Sequence, residues 1–173
     1  MGMVDQSVIN FACYEDAKDF LGLASVTLPD VDFIVATISG AGIAGNVEAP
    51  IIGHMNAMIT QIKFRTFSVD SLKLLEPREH NIDLRAPQQV YDPIAGVYKT
   101  QSVKHVLVLI PKTLSNGNIA PASPTDGSGS YATRRWVTYI DDKKVLEFDP
   151  YNYICEVNGV DYLSDTRKAL GKS

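Results

Sequence analysis

Apolar and polar residues alternate with a period of two along most of this chain, which is typical of half-buried β-strands. The clearest example has Met58, Ile62 and Phe64 on one face and Gln61 and Lys63 on the other. Similar alternation predicts strands over residues 7–14, 20–28, 79–91, 98–110 and 144–157, and a further strand that ends at Ile140. The pattern therefore predicts a mainly β protein.

Turn residues divide these strands. Residues 92–96 contain Pro and Gly and predict the turn of a long hairpin between 79–91 and 98–110, and Asn158-Gly159 predicts a second, tight hairpin. The alternation changes phase at Asp149-Pro150, which predicts a β-bulge there. Composition predicts that residues 37–56 and 114–130 are extended or mobile loops.

Two short helices are predicted among the strands. Ser68 is a suitable N-cap for the first, over residues 68–75, and Val69, Leu72 and Leu75 form its apolar stripe.

The second predicted helix runs from Asp165 to Leu170, with Ser164 as its N-cap and Gly171 at its C′ position. Together with the strands, these helices predict one β-sandwich or barrel domain that spans residues 1–173.

Composition supports a folded domain, because 45% of the 173 residues are hydrophobic and 21% are charged. We see no run of apolar residues long enough for a membrane helix and no secretory signal. The net charge of −4 is unevenly placed: residues 1–62 hold seven acidic and one basic side chain, and the remainder holds thirteen and fifteen. This asymmetry fits head-to-tail contacts between copies, or ordinary clustering of surface charge.

The segment Gly40-Ala41-Gly42-Ile43-Ala44-Gly45 matches the glycine fingerprint of dinucleotide-binding proteins. That fingerprint requires a following helix, which Pro50 and Gly53 disfavour. It also requires an acidic ribose ligand, and none occurs between Glu48 and Asp70. We therefore interpret the segment as a structural loop.

Other catalytic and binding signals are also missing. The sequence has no nucleophile elbow, Walker loop, HExxH motif or EF-hand. Cys13 and Cys155 lie in apolar runs and are predicted to be reduced core residues. The three histidines lack metal-ligand spacing. We predict no catalytic residues, no metal and no cofactor.

Two kinds of charged cluster are weak functional candidates. His80 and His105 each follow a charged residue, but their strand-like surroundings favour surface or hairpin roles over catalysis. Arg134-Arg135-Trp136 is a weak nucleic-acid signal, because neighbouring strand residues point to opposite faces.

Two parts of the chain resemble the major tail tube protein of contractile-tailed bacteriophages. They are Val26-Thr27-Leu28-Pro29 with residues 39–46, and residues 145–149 with 158–163, followed by Arg167 and Gly171. The resemblance implies a structural, non-enzymatic protein that oligomerises into hexameric rings, with a continuous β-barrel around the lumen. The rings would stack into the inner tube of the virion tail, assembled in the bacterial host cytoplasm.

The resemblance also implies partners. These are further copies of the chain, the tail sheath, tape-measure, baseplate and tail terminator proteins, and DNA that passes without sequence-specific binding. A neutral or acidic lumen would not hold DNA, and the net charge agrees with this. On this basis we expect contacts between subunits or rings at six residues: Gly40, Gly42, Gly45, Asn46, Arg167 and Leu170.

Several alternatives stay open. The same sequence fits the tube of a headless contractile bacteriocin or injection system. A small ligand-binding β-barrel is the alternative of a different class. A further alternative concerns the glycine segment alone, which would then be an exposed loop with no interface role.

Overall fold

The computed structural model describes residues 2–16, 18–19 and 22–172. Mainly β structure and two short helices occur in this part of the chain, as the sequence predicts. The strands are β1 Val4–Val8, β2 Ala12–Glu15, β3 Lys18–Asp19, β4 Leu23–Thr27, β5 Phe33–Ile38, β6 Val47–Met55, β7 Met58–Phe64, β8 His80–Arg85, β9 Gln88–Asp92, β10 Val97–Gln101, β11 Val103–Ser115, β12 Gly127–Ile140, β13 Lys143–Asp149, β14 Ile154–Val157 and β15 Val160–Asp161. The helices are α1 Val69–Lys73 and α2 Ser164–Ala169.

The long strand β12 joins the two halves of the main sheet. Along one edge it pairs with β11. Along the other edge, residues 127–133 pair with β7 and residues 136–140 pair with β13. We call β4, β7, the first half of β12 and residues 110–115 of β11 the four-strand wing. The remaining strands of this sheet, in the order β15-β14-β13-β12-β11-β8-β2-β3, form the long wing.

The hydrophobic core lies against the inner face of this sheet. Along β7, which begins with the buried Met58, buried and exposed residues alternate strictly. The predicted alternation is therefore confirmed. The fully buried side chains of the core include Ile62, Ile82, Leu107, Leu109 and Tyr131. Both cysteines are buried as thiols, as predicted.

The predicted long hairpin is confirmed, but it is divided between two sheets. At its base β8 pairs with β11, with His80 opposite Leu109. At its tip β9 and β10 pair with each other, and β1 joins them in a separate three-stranded sheet. The prediction of one strand over 7–14 is wrong for this reason, since the chain leaves β1 and enters the main sheet only at β2.

The prediction for 20–28 holds from Leu23 to Thr27, where β4 pairs with β7. Phe20, the first apolar residue of the predicted strand, lies outside the described residues.

Helix α1 begins as predicted, but it buries different residues. Ser68 and Ser71 form a reciprocal capping box. The predicted apolar stripe is wrong: Val69 is 82% exposed, while Leu74 is completely buried. Ser71 faces inward because of the cap, and Leu74 follows it by three residues on the same side of the helix.

Both predicted loops are shorter in the structure. Residues 47–55 form β6 and pair with β5, which leaves residues 39–46 as the connection. Residues 127–130 belong to β12, because Gly129 lies opposite Leu114 in the ladder. A Cβ at Gly129 would lie 2.7 Å from the Tyr131 ring, so glycine here lets this ring lie against the strand. The glycine content of residues 127–130 therefore reflects close packing in this segment.

The predicted bulge at Asp149-Pro150 is a tight reversal of the chain. Strand β13 turns back into β14, and Asp149 lies opposite Ile154. The Asp149 carboxylate accepts the backbone N–H groups of Tyr151 and Asn152, which stabilises the turn. This reversal of the chain explains why the alternation of apolar and polar residues changes phase at Asp149-Pro150. The second hairpin is confirmed, with Asn158 and Gly159 both at positive φ.

The end of α2 is as predicted, but its beginning differs. Gly171 has φ 69° and donates to the Lys168 carbonyl, and Lys172 donates to the Arg167 carbonyl, so this is a Schellman motif. Ser164 is the first residue of the helix, and Leu163 occupies the N-cap without a side-chain hydrogen bond. Leu163 is instead buried, which fixes the position of the helix on the core.

Candidate assembly surfaces

A two-stranded arm projects from the domain. Strands β5 and β6 pair with each other and, within the described residues, with no other strand. All six residues of β5 are exposed. The large apolar side chains exposed on this arm are Phe33, Ile34, Val35, Ile38, Ile43, Val47, Ile51 and Ile52. An isolated two-stranded ribbon is marginally stable in water, and apolar residues along it favour a protein partner.

The tip of the arm carries the glycine segment. Gly40, Gly42 and Gly45 have φ values of 139°, 90° and 128°, a region that glycine adopts without strain. A Cβ on any of them would meet nothing within 4 Å. The glycines therefore serve the backbone conformation of the tip and leave its surface open. Asn46 is exposed beside them.

The base of the arm is attached to the C-terminal segment. Phe33 pairs with Met55 and Val35 pairs with Pro50, so residues 51–54 bulge out of the ladder. In this bulge a Cβ at Gly53 would lie 2.5 Å from Leu163. Backbone and side chain can approach this closely only because Gly53 lacks a Cβ.

An apolar cleft of about 280 Å³ lies beside this attachment. Its lining includes Phe33, Ile51, Cys155, Val157 and Tyr162. The cleft gives the base of the arm a continuous apolar surface with the end of the long wing.

The remaining predicted interface residues lie at the C-terminal helix. Leu170 is 53% exposed. Arg167 forms an ion pair of 2.6 Å with Asp161 and donates to the Tyr153 carbonyl. Burial alone would raise the pKa of Asp161, but the Arg167 hydrogen bond and backbone N–H groups outweigh it and lower the pKa. The guanidinium thus also holds α2 to its own subunit.

The four-strand wing has two open edges. Strand β4 pairs with β7 alone, and residues 110–115 of β11 pair with β12 alone, within the described part of the chain. Open edges present unpaired N–H and C=O groups to any strand that approaches. Alternation in the sequence predicted β4 and the part of β11 up to Ile110, but it did not predict the rest of this edge or indicate which edges would stay open.

The outward face of this wing is built from short polar side chains in register. One row across the four strands is Ser25, Lys63, Ser128 and Ser115. The next row is Thr27, Gln61, Ser130 and Thr113. These two rows therefore contain one charged side chain, Lys63, and the neighbouring position on the same face of β7 is the exposed Ile59.

The outward face of the long wing is different, because it carries a network of paired charges. Glu147 accepts hydrogen bonds from Arg135 and Lys144 at 2.7 Å each, and Lys144 reaches Glu156 at 3.0 Å. Burial would raise the pKa of Glu147, but the hydrogen bonds from Lys144 and Arg135 outweigh it and lower the pKa. Sequence alternation alone did not reveal this network, since its members come from three strands.

The weak nucleic-acid signal at Arg134-Arg135-Trp136 does not form a basic patch. Arg134 pairs with Glu79 and lies over the Tyr151 ring, and Trp136 is buried. Arg135 is bound to Glu147.

Of the two roles predicted for His80, hairpin or surface, the structure agrees with the hairpin, because His80 begins β8 opposite Leu109. The side chain is completely buried, and its Nδ1 lies 2.7 Å from the Glu15 carboxyl and its Nε2 lies 3.0 Å from the Glu76 carbonyl oxygen. Arg78 also donates to Glu15, at 3.2 Å. This polar cluster connects β2, β8 and the end of α1 inside the fold. His105 is partly buried and bonds Thr138.

No group of three His, Cys, Asp or Glu residues in the described ranges is arranged to hold a metal ion. Those ranges also contain no helix with the length and apolarity to cross a membrane.

The sequence of residues 5–171 matches the phage tail tube protein FII family. The chain belongs to this family. It is thus a structural subunit of a phage tail tube, as the resemblance implied, and a component of the virion tail. None of the curated proteins matches it.

Two solved structures have a similar fold. One is the sheath/tube terminator of an extracellular contractile injection system, PVC, in its extended state, with a TM-score of 0.54 and 10% identity over 76% of this chain and 94% of that one. The other is the PVC sheath-tube complex in the extended state, with a TM-score of 0.52 and 11% identity over 75% of this chain and 88% of that one. Both likenesses concern the fold alone.

Proposed function

We propose that this tail tube protein forms hexameric rings that stack into the inner tube of a contractile tail. The observation that carries the proposal is the four-strand wing with an open edge at each side, β4 and residues 110–115 of β11. Pairing of one subunit's β4 with the next subunit's β11 removes both edges when the ring closes. The result is a continuous barrel around a lumen.

The arm supplies the second contact of this assembly. Its exposed apolar side chains lie against neighbouring subunits or the next ring, so that the ribbon is covered. Gly40, Gly42, Gly45 and Asn46 make contacts at its tip. Arg167 and Leu170 contribute from the C-terminal helix, Arg167 through the part of its side chain that Asp161 leaves accessible.

The proposed partners follow from the family and the two similar structures. The tube lies inside a tail sheath, surrounds a tape-measure protein during assembly, and joins baseplate and tail terminator proteins. DNA passes through it without sequence-specific binding, and assembly takes place in the bacterial host cytoplasm. The PVC structures favour a second candidate, the tube of a headless injection particle, and genes for capsid and terminase beside this one would favour the phage.

Electron microscopy with light scattering tests the proposal. We expect six-fold rings, and tubes at high concentration. Replacement of Gly40, Gly42 and Gly45 by Val should abolish tubes and leave a folded monomer. Valine is strained at positive φ, and its side chains would stand where the tip meets a neighbouring subunit.

Gly96→Val is the matched control, since Gly96 also has positive φ and open space but lies in the β9–β10 turn. A strictly monomeric wild-type protein at every concentration would contradict the proposed function. Unchanged tubes from the triple variant would contradict the role of the arm tip alone.

A further inference from the structure

A closed polar cluster lies where β2, β8 and the chain after α1 meet. Glu15 is 1% exposed and His80 is completely buried, so the contact between them is shielded from solvent. The Nδ1 atom of His80 lies 2.7 Å from Oε1 of Glu15, and its Nε2 atom lies 3.0 Å from the Glu76 carbonyl oxygen. Both ring nitrogens therefore face an oxygen at hydrogen-bond distance.

These two oxygens determine how many protons the pair of Glu15 and His80 holds. A carbonyl oxygen only accepts hydrogen bonds, so Nε2 of His80 carries a hydrogen and donates it to the Glu76 carbonyl. An ionised Glu15 also only accepts, in which case Nδ1 carries a second hydrogen and the ring is an imidazolium. The other way to form this contact is a neutral Glu15 that donates to Nδ1. In either form the pair holds one proton more than a neutral histidine beside an ionised glutamate.

Arg78 decides between the two forms. Its guanidinium donates to the same Glu15 oxygen, Oε1, at 3.2 Å. The other carboxylate oxygen, Oε2, has no hydrogen-bond partner among the described residues. A cation at hydrogen-bond distance favours the ionised form of a carboxyl group. The proton therefore belongs on His80, and Oε1 of Glu15 accepts from both cations.

The other charged groups around the pair leave these contacts in control. The charged residues that face the pair from neighbouring elements are Lys18 on β3, Glu76 and Arg78 after α1, and Glu79 with Arg134 on β12. Glu76 and Glu79 are each bound to an arginine, so opposite charges balance there. The side chain of Lys18 is exposed, and water screens its charge. On β11, the residue opposite His80 is the uncharged Leu109.

We propose that His80 is an imidazolium in the folded subunit and that its buried proton makes the subunit less stable as the pH rises above neutral. Loss of the Nε2 proton would set two acceptors against each other at the Glu76 carbonyl. Loss of the Nδ1 proton would do the same at the Glu15 carboxylate. Either loss removes a buried hydrogen bond without a replacement, so the folded state keeps the proton. The cluster lies inside one subunit, and its effect does not require ring formation.

The direction of the pH effect follows from proton binding. A histidine in the unfolded chain loses one of its two ring protons at about pH 6.5. Above that pH the folded subunit binds one proton more than the unfolded chain. The stabilisation is therefore fully present below that pH and is lost as the pH rises. For each pH unit over which this difference holds, the equilibrium constant for unfolding increases about tenfold.

Nitrogen NMR of the full chain tests the protonation of His80 directly, because the chemical shifts of the ring nitrogens distinguish an imidazolium from a neutral ring. At about pH 8 we expect both nitrogens of His80 to be protonated, although an ordinary histidine is neutral there. His54 and His105 are internal controls and should both be neutral, since His54 is exposed and burial lowers the pKa of His105. A neutral ring at His80 in this spectrum would overturn the proposal.

Glu15→Gln tests the source of the effect in the same spectrum. The substitution replaces the carboxylate by an uncharged amide of similar shape, so the ring of His80 should become neutral at about pH 8. An imidazolium that persists in this variant would overturn the role of Glu15.

Urea unfolding from about pH 6 to about pH 9 tests the effect on stability. The unfolding constant of the wild-type protein should increase with pH, and His80→Gln should remove most of this increase, because glutamine does not titrate. His54→Gln is the matched control and should follow the wild-type curve, since His54 is exposed. Parallel curves for the three proteins would contradict the proposal. The NMR measurement on the wild-type protein decides the matter even where His80→Gln does not fold.

Discussion

Individual side chains in this tail tube protein show how burial and charged partners act in opposite directions on the pKa of an acidic group. Glu147 is 8% exposed, a position that would favour the neutral acid, yet two cations hold it ionised. Tyr131 is more deeply buried, and its hydroxyl has no hydrogen-bond partner among the described residues. Burial raises the pKa of Tyr131 to about 12. These two residues lead to opposite predictions for stability.

Glu147→Gln should make the domain less stable at neutral pH. The folded state lowers the pKa of Glu147, so its ionised form stabilises the fold above the ordinary glutamate pKa, and this contribution disappears as the pH falls through the lowered value. We expect a decrease of about 1–2 kcal/mol in the free energy of unfolding at pH 7, with the two proteins converging in acid. Urea unfolding from pH 3 to pH 8 measures this. A difference that does not change with pH would contradict it.

Tyr131→Phe should leave the fold as stable or more stable. The substitution removes a buried hydroxyl without a partner and keeps the ring in place, a change worth up to about 1 kcal/mol. The free energy of unfolding in urea is the measurement. A decrease above that size would indicate a hidden partner for the hydroxyl.

Among the strands and helices, close contacts decide where each segment lies. The β5–β6 arm is attached at Gly53, and α1 is attached through Leu74. For each of these two contacts, the chain contains a second residue of the same type, a glycine or a leucine, that does not make a comparable contact. This contrast allows each contact to be tested with a matched control.

Gly53→Ala should displace the base of the arm from Leu163. The new Cβ would lie 2.5 Å from that side chain, and φ at this position is 70°. We expect a decrease in stability of about 1–3 kcal/mol and fewer rings in electron micrographs. Gly96→Ala is the control, with φ 67° and open space, and it reports the cost of backbone strain alone. Equal decreases in the two variants would remove the steric explanation.

Leu74→Ala and Leu75→Ala separate the observed packing of α1 from the predicted stripe. Leu74 is completely buried, so its truncation should cost about 2–5 kcal/mol. Leu75 is 40% exposed, and its truncation should cost less than about 1 kcal/mol. Chemical denaturation of both variants measures the difference. The reverse order would support the sequence-based stripe.

Across the whole molecule, much of the apolar surface lies outside the core. The arm, the β1-β9-β10 sheet and two strand edges are exposed in the single subunit. Exposed apolar surface of this extent favours contact with a protein partner. The most exposed element of the subunit should therefore respond most strongly to ring formation.

Hydrogen exchange should show this response in the arm. In the monomer, amides of residues 33–55 should exchange rapidly, because this ribbon packs little against the rest of the domain. In rings or tubes they should become protected. The core strand β7 serves as the internal control and should be protected in both states. An arm that exchanges equally fast in tubes would contradict its role between subunits.

Part of the local structure in this protein could be predicted from the sequence alone. Period-two alternation identified β7, Ser68 and Asn158-Gly159 marked a helix start and a hairpin, and Gly171 marked a helix end. These features depend on interactions between residues that are close together along the chain, and such interactions can be inferred from the sequence. The paired motifs also carried the resemblance to tail tube proteins, because their order and spacing along the chain fit that family.

Tertiary packing, in contrast, sets which strands stay unpaired and which side chains are buried together. The polar face around Lys63 joins four strands from distant parts of the chain, and Gly53 meets Leu163 across a long separation in sequence. The order of the strands decides which strand edges stay open and which side chains share a face of the sheet. It also decides which polar groups meet in the core, as Glu15 does with His80. Strand order is set by packing energies summed over the whole domain, which no local pattern contains.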